Sequence, residues 1–174
     1  MKGNFWKVLA SGSIVASMLV GCSSGGTAQE AVKLSEGDTV KIGLNYELSG
    51  SVATYGQAMD KGTQLAIKQY NESDDAKYKI EAVSMDNKSD SAEATSIAEK
   101  LMGEGVAMQI GPATSGDSIA TYPSSENNKV PVLSPAVTQN GGMLKEDGTA
   151  YEYAWRICFE DSAQASAMAV LLKI

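Results

Sequence analysis

Apolar and polar residues recur in two rhythms along this chain, one of period two and one of helical period. Val40-Lys41-Ile42-Gly43-Leu44-Asn45-Tyr46 alternates apolar with polar or small residues and runs into Ser49-Gly50, which reads as a strand closed by a turn. Between Tyr55 and Tyr70, the positions Tyr55, Met59, Gly62, Ala66 and Tyr70 fall at steps of four, three, four and four, one face of a helix. Asn71-Glu72-Ser73-Asp74-Asp75 is a turn, and Tyr78 to Met85 is a second strand with Ile80, Ala82 and Ser84 on one face. Asp90 precedes Glu93 by three residues, a capping-box-like start. Ala94, Ile97, Ala98, Leu101 and Met102 then draw the clearest helical stripe in the chain, ended by Gly103 and Gly105. Val106 to Ile110 is a short buried strand. Ser115 to Tyr122 is a short helix interrupted before Pro123. Val130 to Leu133 is a strand, and Gly141-Gly142 and Glu146-Asp147-Gly148 mark a long loop. Tyr153 to Phe159 is a further strand, followed by an Ala-rich helix over Asp161 to Leu172.

This alternation predicts the α/β class: an open, mostly parallel sheet with helices on both faces. Two loops then stand where such a sheet places a ligand, outside the carboxyl ends of its strands. One is Ile110-Gly111-Pro112-Ala113-Thr114-Ser115-Gly116-Asp117 and the other Leu133-Ser134-Pro135-Ala136-Val137-Thr138. Small residues, hydroxyls and free backbone groups in both suit a small zwitterion better than bond-breaking chemistry.

The amino terminus reads differently. Lys2 and Lys7 precede an uncharged apolar and small-residue run from Val8 to Val20, a secretory signal over residues 1–21. A membrane span is disfavoured, because the apolar run is shorter than the roughly 20 residues a bilayer needs. Leu19-Val20-Gly21-Cys22 resembles the lipobox of bacterial lipoproteins, which implies that Cys22 is diacylated and becomes the mature N-terminus; the other reading is a cleaved signal with an incidental cysteine. Two acyl chains give stable anchoring where one gives marginal binding. Residues 22–38, beginning Cys22-Ser23-Ser24-Gly25-Gly26, have flexible linker composition. The folded lobe is expected over 39–160.

Charge and composition narrow the function. The chain carries 14 basic and 21 acidic residues; beyond residue 21 the balance is 12 against 21, a net −9. An acidic surface without a polybasic patch argues against nucleic acid and anionic lipid as partners. Histidine is absent, which removes Ser-His-Asp and Cys-His catalysis and most zinc sites. No G-x-S-x-G elbow is present. No catalytic residue, metal site or cofactor is therefore expected, and the protein reads as a non-enzyme. Cys158, with Cys22 lipidated, lacks a partner and reads as a small core residue.

Four segments resemble the substrate-binding proteins of branched-chain amino acid ABC transporters, which have the type I periplasmic-binding-protein fold. They are Ile42-Gly43-Leu44 with Leu48-Ser49-Gly50 and Tyr55-Gly56; Asp86-Asn87-Lys88-Ser89-Asp90; Gly111-Pro112-Ala113-Thr114-Ser115; and Val130-Pro131-Val132-Leu133-Ser134-Pro135-Ala136-Val137-Thr138. Their order and spacing carry the resemblance. It implies that Ser115 binds the ligand α-carboxylate through its hydroxyl and N–H, as a helix start can. It implies that Thr138 binds the ligand backbone through its hydroxyl and main chain, and that Ala136 offers its carbonyl to the α-ammonium. Tyr55 would lie over the ligand, and Ala113 would let it approach the backbone. Each residue also has a plain structural reading: Ser115 or Asp117 as a helix cap, Thr138 as a turn hydroxyl, Tyr55 in core packing.

The resemblance further implies an N-terminal fragment. Phe159-Glu160-Asp161 is similar to the crossing point between lobes, so that 161–174 begins a crossover helix toward a missing second lobe. The function so implied is capture of a branched-chain or related amino acid at the extracytoplasmic face of the cell membrane. The partners are an ABC permease and, through the lipid, the membrane, with a monomer expected at full length. An extracytoplasmic amino-acid or amide sensor of the same fold is the alternative.

Overall fold

The computed structural model describes residues 34–172; the expected signal, Cys22 and most of the expected linker lie outside the described residues. Nine elements follow one another. They are β1 (Thr39–Tyr46), α1 (Ala53–Asn71), β2 (Lys79–Asp86), α2 (Ser91–Gly103), β3 (Met108–Ile110), α3 (Ser115–Asn128), β4 (Val132–Ser134), β5 (Ala154–Arg156) and α4 (Asp161–Leu172). The strands form one sheet in the order β2-β1-β3-β4-β5, every neighbouring pair parallel. Among the described residues no helix is long and apolar enough to cross a membrane.

Alternation along β1 divides the core in two. Leu44 and Tyr46 face α1, in a cluster that gathers Ile42, Met59, Ala82, Ile110 and Ala113. Gly43 and Asn45 face α2: a Cβ on Gly43 would run into the Leu101 methyls, and the Asn45 amide donates to the Ala94 carbonyl at 2.9 Å. On that second face Ile97, Ala98, Leu101 and Met102 of α2 meet Tyr122 of α3 and Val106, Val130, Val132 and Ala154. Helices thus cover both faces. The cap expected at Asp90 is present, its carboxylate accepting the Glu93 N–H at 2.8 Å.

Three expectations are corrected. The buried side of α1 is Gly56 and Asp60, with Met59, Thr63, Ile67 and Tyr70 half-buried; Gly62 and Ala66 are exposed, and Tyr55 is 66% exposed. Polar anchors set this rotation: Thr63 bonds the Tyr46 hydroxyl at 3.1 Å, and Asp60 accepts from Ser84 at 2.8 Å. The helix expected to stop before Pro123 continues to Asn128. Packing on α2 outweighs the lost N–H, and hydroxyls serve nearby carbonyls: Thr95 donates to Ala120 O and Ser125 to Tyr122 O. The last strand pairs only over Ala154–Arg156, because Arg156 turns the chain onto the loop after β4, donating to the Val137 carbonyl at 3.1 Å and pairing with Glu160 at 2.6 Å.

The long loop between β4 and β5 is fastened to α3. Glu126 accepts the Glu152 and Tyr153 amides, each at 2.7 Å, and pairs with Lys145 at 2.7 Å. Tyr151 meets Tyr122 edge to face at 5.1 Å. On the edge strand and beyond, Trp155, Ile157 and Phe159 are exposed, as are Met168, Val170, Leu171 and Leu172 of α4. Cys158 is half-buried and unpaired among the described residues.

Candidate functional site

The chain leaves β1 through α1 to reach β2 on one side, then crosses back through α2 to β3 on the other. The loops after β1 and β3 therefore diverge, which opens a crevice at the carboxyl end of the sheet. The loop after β4 flanks it.

A buried chain of amides forms the floor. Asn87 donates to Asn45 at 3.2 Å, Asn45 contacts Gln109 at 3.4 Å, and Gln109 donates to the Gly111 carbonyl at 3.1 Å. All three side chains are fully buried. Satisfied polar groups in a low-dielectric interior fix one geometry, and here they tie the ends of β2, β1 and β3 together. Gly111, at φ +91°, passes so close to Asn45 that a Cβ would strike its carbonyl oxygen.

The wall after β1 is held from outside. The Asp86 carboxylate accepts the Leu48, Ser49 and Lys88 amides at 2.8 to 3.0 Å and the Ser49 hydroxyl at 2.6 Å. Desolvation pushes its pKa upward, but these hydrogen bonds, the Ser49 hydroxyl first, outweigh it and hold the carboxyl below its usual value.

Ser115 opens α3 and is half-buried. The helix cap is neither Ser115 nor Asp117 but Thr114, whose hydroxyl accepts the Asp117 N–H at 3.3 Å. Buried Asp117 instead receives the Ser91 hydroxyl at 2.5 Å. Among the described residues the Ser115 and Gly116 N–H groups have no acceptor. The Ser115 hydroxyl accepts the Gln139 N–H at 3.4 Å, which joins the two expected loops.

In the second loop Thr138 donates its N–H to the Ala136 carbonyl at 3.0 Å and accepts the Asp161 N–H at 2.8 Å. Both main-chain groups of Thr138 are thus engaged within the protein, leaving its hydroxyl, and the Ala136 carbonyl keeps one lone pair. Arg156 and Glu160 brace this loop, Glu160 also accepting the Gly141 N–H at 3.3 Å. The Arg156 guanidinium first, then that amide, holds the Glu160 carboxyl below its usual range.

Ala113, Ser115, Ala136 and Thr138 therefore lie on two adjoining loops. Ala113 is buried in the α1-side core beneath them, and Tyr55 stands apart on the first turn of α1 with its ring in solvent. Sequence reasoning gave no role to Glu47, Asn45, Gln109 or Arg156. The signal for the first three was a polar side chain interrupting an apolar strand end. Among the described residues no group of three or more Cys, Asp or Glu could hold a metal ion. A groove of about 410 Å³ near Glu36, Asn71 and Lys77 lies at the opposite end of the strands.

A family profile described as periplasmic binding protein matches residues 39–173. The branched-chain amino acid transporter substrate binding protein LivJ of Streptococcus pneumoniae, solved with isoleucine, is 42% identical; the match covers 71% of this chain and 35% of that one, with a TM-score of 0.64. The leucine binding protein LivK of Thermotoga maritima is 30% identical over 76% of this chain and 36% of that one, with a TM-score of 0.66. A leucine-, isoleucine-, valine-, threonine- and alanine-binding protein of Pseudomonas aeruginosa is 29% identical over 102 residues, 58% of this chain and 27% of that protein. The chain spans about two fifths or less of the length of these relatives.

Proposed function

The chain belongs to the periplasmic binding protein family, and from that premise we propose that it forms one wall of an amino-acid site in the solute-binding component of an ABC importer. The ligand is a branched-chain or related amino acid, and this wall grips the part common to all of them. The observation that carries the reading is the pair of unpaired amides at Ser115 and Gly116 beside the Ser115 hydroxyl, at the positive end of a helix of 14 residues. Such an end favours a carboxylate. The Ala136 carbonyl and the Thr138 hydroxyl stand on the adjoining loop, the first an acceptor for the α-ammonium. Tyr55, exposed on the rim, closes over the ligand, and Ala113 keeps the floor low enough for the ligand to reach the backbone.

Nothing in this wall performs chemistry on the ligand; binding is the function. The protein works outside the cytoplasmic membrane, held there by diacylation at Cys22 and a polar tether, and passes its ligand to a permease. Replacement of Cys22 by Ser is expected to release it from the membrane fraction.

Titration of the isotope-labelled protein with L-leucine, L-isoleucine and L-valine tests the site. The Ser115, Gly116 and Thr138 amide resonances are expected to move, and leucinol, which lacks the carboxylate, is expected to leave Ser115 and Gly116 in place. The reading fails if no amino acid moves them.

A further inference from the structure

We propose that Glu47 is a positioning residue of this site: it fills the inner pair of amides at the β3–α3 turn so that the outer pair is left for the ligand's carboxylate. The proposal rests on the amino-acid-binding reading above and deepens it. Glu47 follows β1 and is fully buried. Its two carboxylate oxygens accept the Ala113 and Thr114 N–H groups, each at 2.9 Å. Among the described residues no basic side chain pairs with it.

A buried carboxylate without a cation is expensive unless hydrogen bonds replace its water. Two amides at the positive end of α3 do that here. An apolar residue there would leave both N–H groups without an acceptor, so the arrangement points to what the carboxylate fixes. Between Gly111 and Ser115 the turn has only two N–H groups to orient, because Pro112 has none and the Gly111 N–H is spent on Leu133 at 3.0 Å. Glu47 takes both.

Its own backbone is pinned from behind. A Cβ on Gly56 would strike the Glu47 main chain, so α1 packs directly against it. The carboxylate therefore reaches from a fixed point just past the end of β1 across the switch point to the turn. The next two amides, those of Ser115 and Gly116, have no acceptor among the described residues. Buried as it is, Glu47 cannot touch the ligand and acts through the turn.

A double-mutant cycle on the full chain tests this, with the leucine Kd read from amide shifts. Glu47→Gln places an NH2 group against one of the two amides, and is expected to raise the leucine Kd about tenfold, the loss of one charge-assisted bond. Ser115→Ala alone is expected to weaken binding as well. In the Glu47→Gln background it is expected to cost at least threefold less, because the hydroxyl is no longer held in place. Hydrogen exchange at Ala113 and Thr114 is expected to accelerate in Glu47→Gln while α2 stays protected. Should Glu47→Gln fail to fold, Glu47→Asp takes its place: the shorter carboxylate cannot reach both amides, and the same loss is expected. An unchanged Kd in the variant, or equal losses from Ser115→Ala in both backgrounds, overturns the role of Glu47 alone. A wild-type chain that binds no amino acid overturns the functional reading with it.

Discussion

Leu101 shows what a single position carries. Its methyls fill the space above Gly43, which has no side chain of its own, and it is fully buried between α2 and the sheet. Leu101→Ala leaves a cavity that the backbone of β1 cannot collapse to fill, and we expect a loss of about 2–5 kcal/mol by urea unfolding. Its burial was legible in the sequence, because helical period and apolar character agreed over Ala94, Ile97, Ala98, Leu101 and Met102, and all five are buried. Glu47 was not legible. A carboxylate at a strand end reads as a solvated turn residue, and the amides that receive it lie 66 and 67 residues away. Thr114 was missed for a smaller reason: three capping-competent residues stand within one turn, at 114, 115 and 117, and dihedral angles choose among them.

The elements divide according to what decides them. Local signals bounded α2 and α4 well, since a cap or an acidic first turn coincided with the onset of apolar residues. The face of α1 was decided by hydrogen bonds to β1 and β2, which periodicity does not encode. Pro123 is the sharper case. It sits inside α3, exposed, where a proline costs about 3 kcal/mol in an isolated helix. The helix persists because Tyr122, Ser118 and Thr121, around it, are fully buried against α2 and the sheet. Restoring the N–H in Pro123→Ala is expected to raise stability by about 1–2 kcal/mol, part of the helix gain being offset by a freer unfolded chain. A thermal melt that falls on this substitution would show that the ring itself is needed for packing.

For the whole molecule, charge sets the pH range of stability. Asp86, Glu126 and Glu160 have folded pKa values below the ordinary ones. Desolvation opposes the shift at Asp86 and Glu126 and is outweighed by hydrogen bonds, led by Ser49 and Lys145; at Glu160 the Arg156 contact dominates. A lowered pKa contributes stability that is complete above the unfolded value and is lost as pH falls through the folded one. Tyr46 and Tyr122 are shifted the other way, by burial. Their contribution is complete below the unfolded value and is lost as pH rises through the folded one. Unfolding followed by circular dichroism is therefore expected to show a plateau from about pH 5 to 9, with losses below about 4 and above about 10. A stability maximum well inside the acid range would contradict these assignments. At this scale the parallel sheet and both helical layers followed from alternation, whereas the strand order came only with the structure, and the bracing of the second loop by Arg156 depended on where the chain leaves β5. That exit has a practical consequence. Trp155 is half-exposed on the edge strand, next to the arginine that holds Val137, and it is the one tryptophan of residues 22–174. Its indole is a built-in optical probe: emission from this chain reports solvated tryptophan, and a shift to shorter wavelength would register the moment another surface closes over the edge.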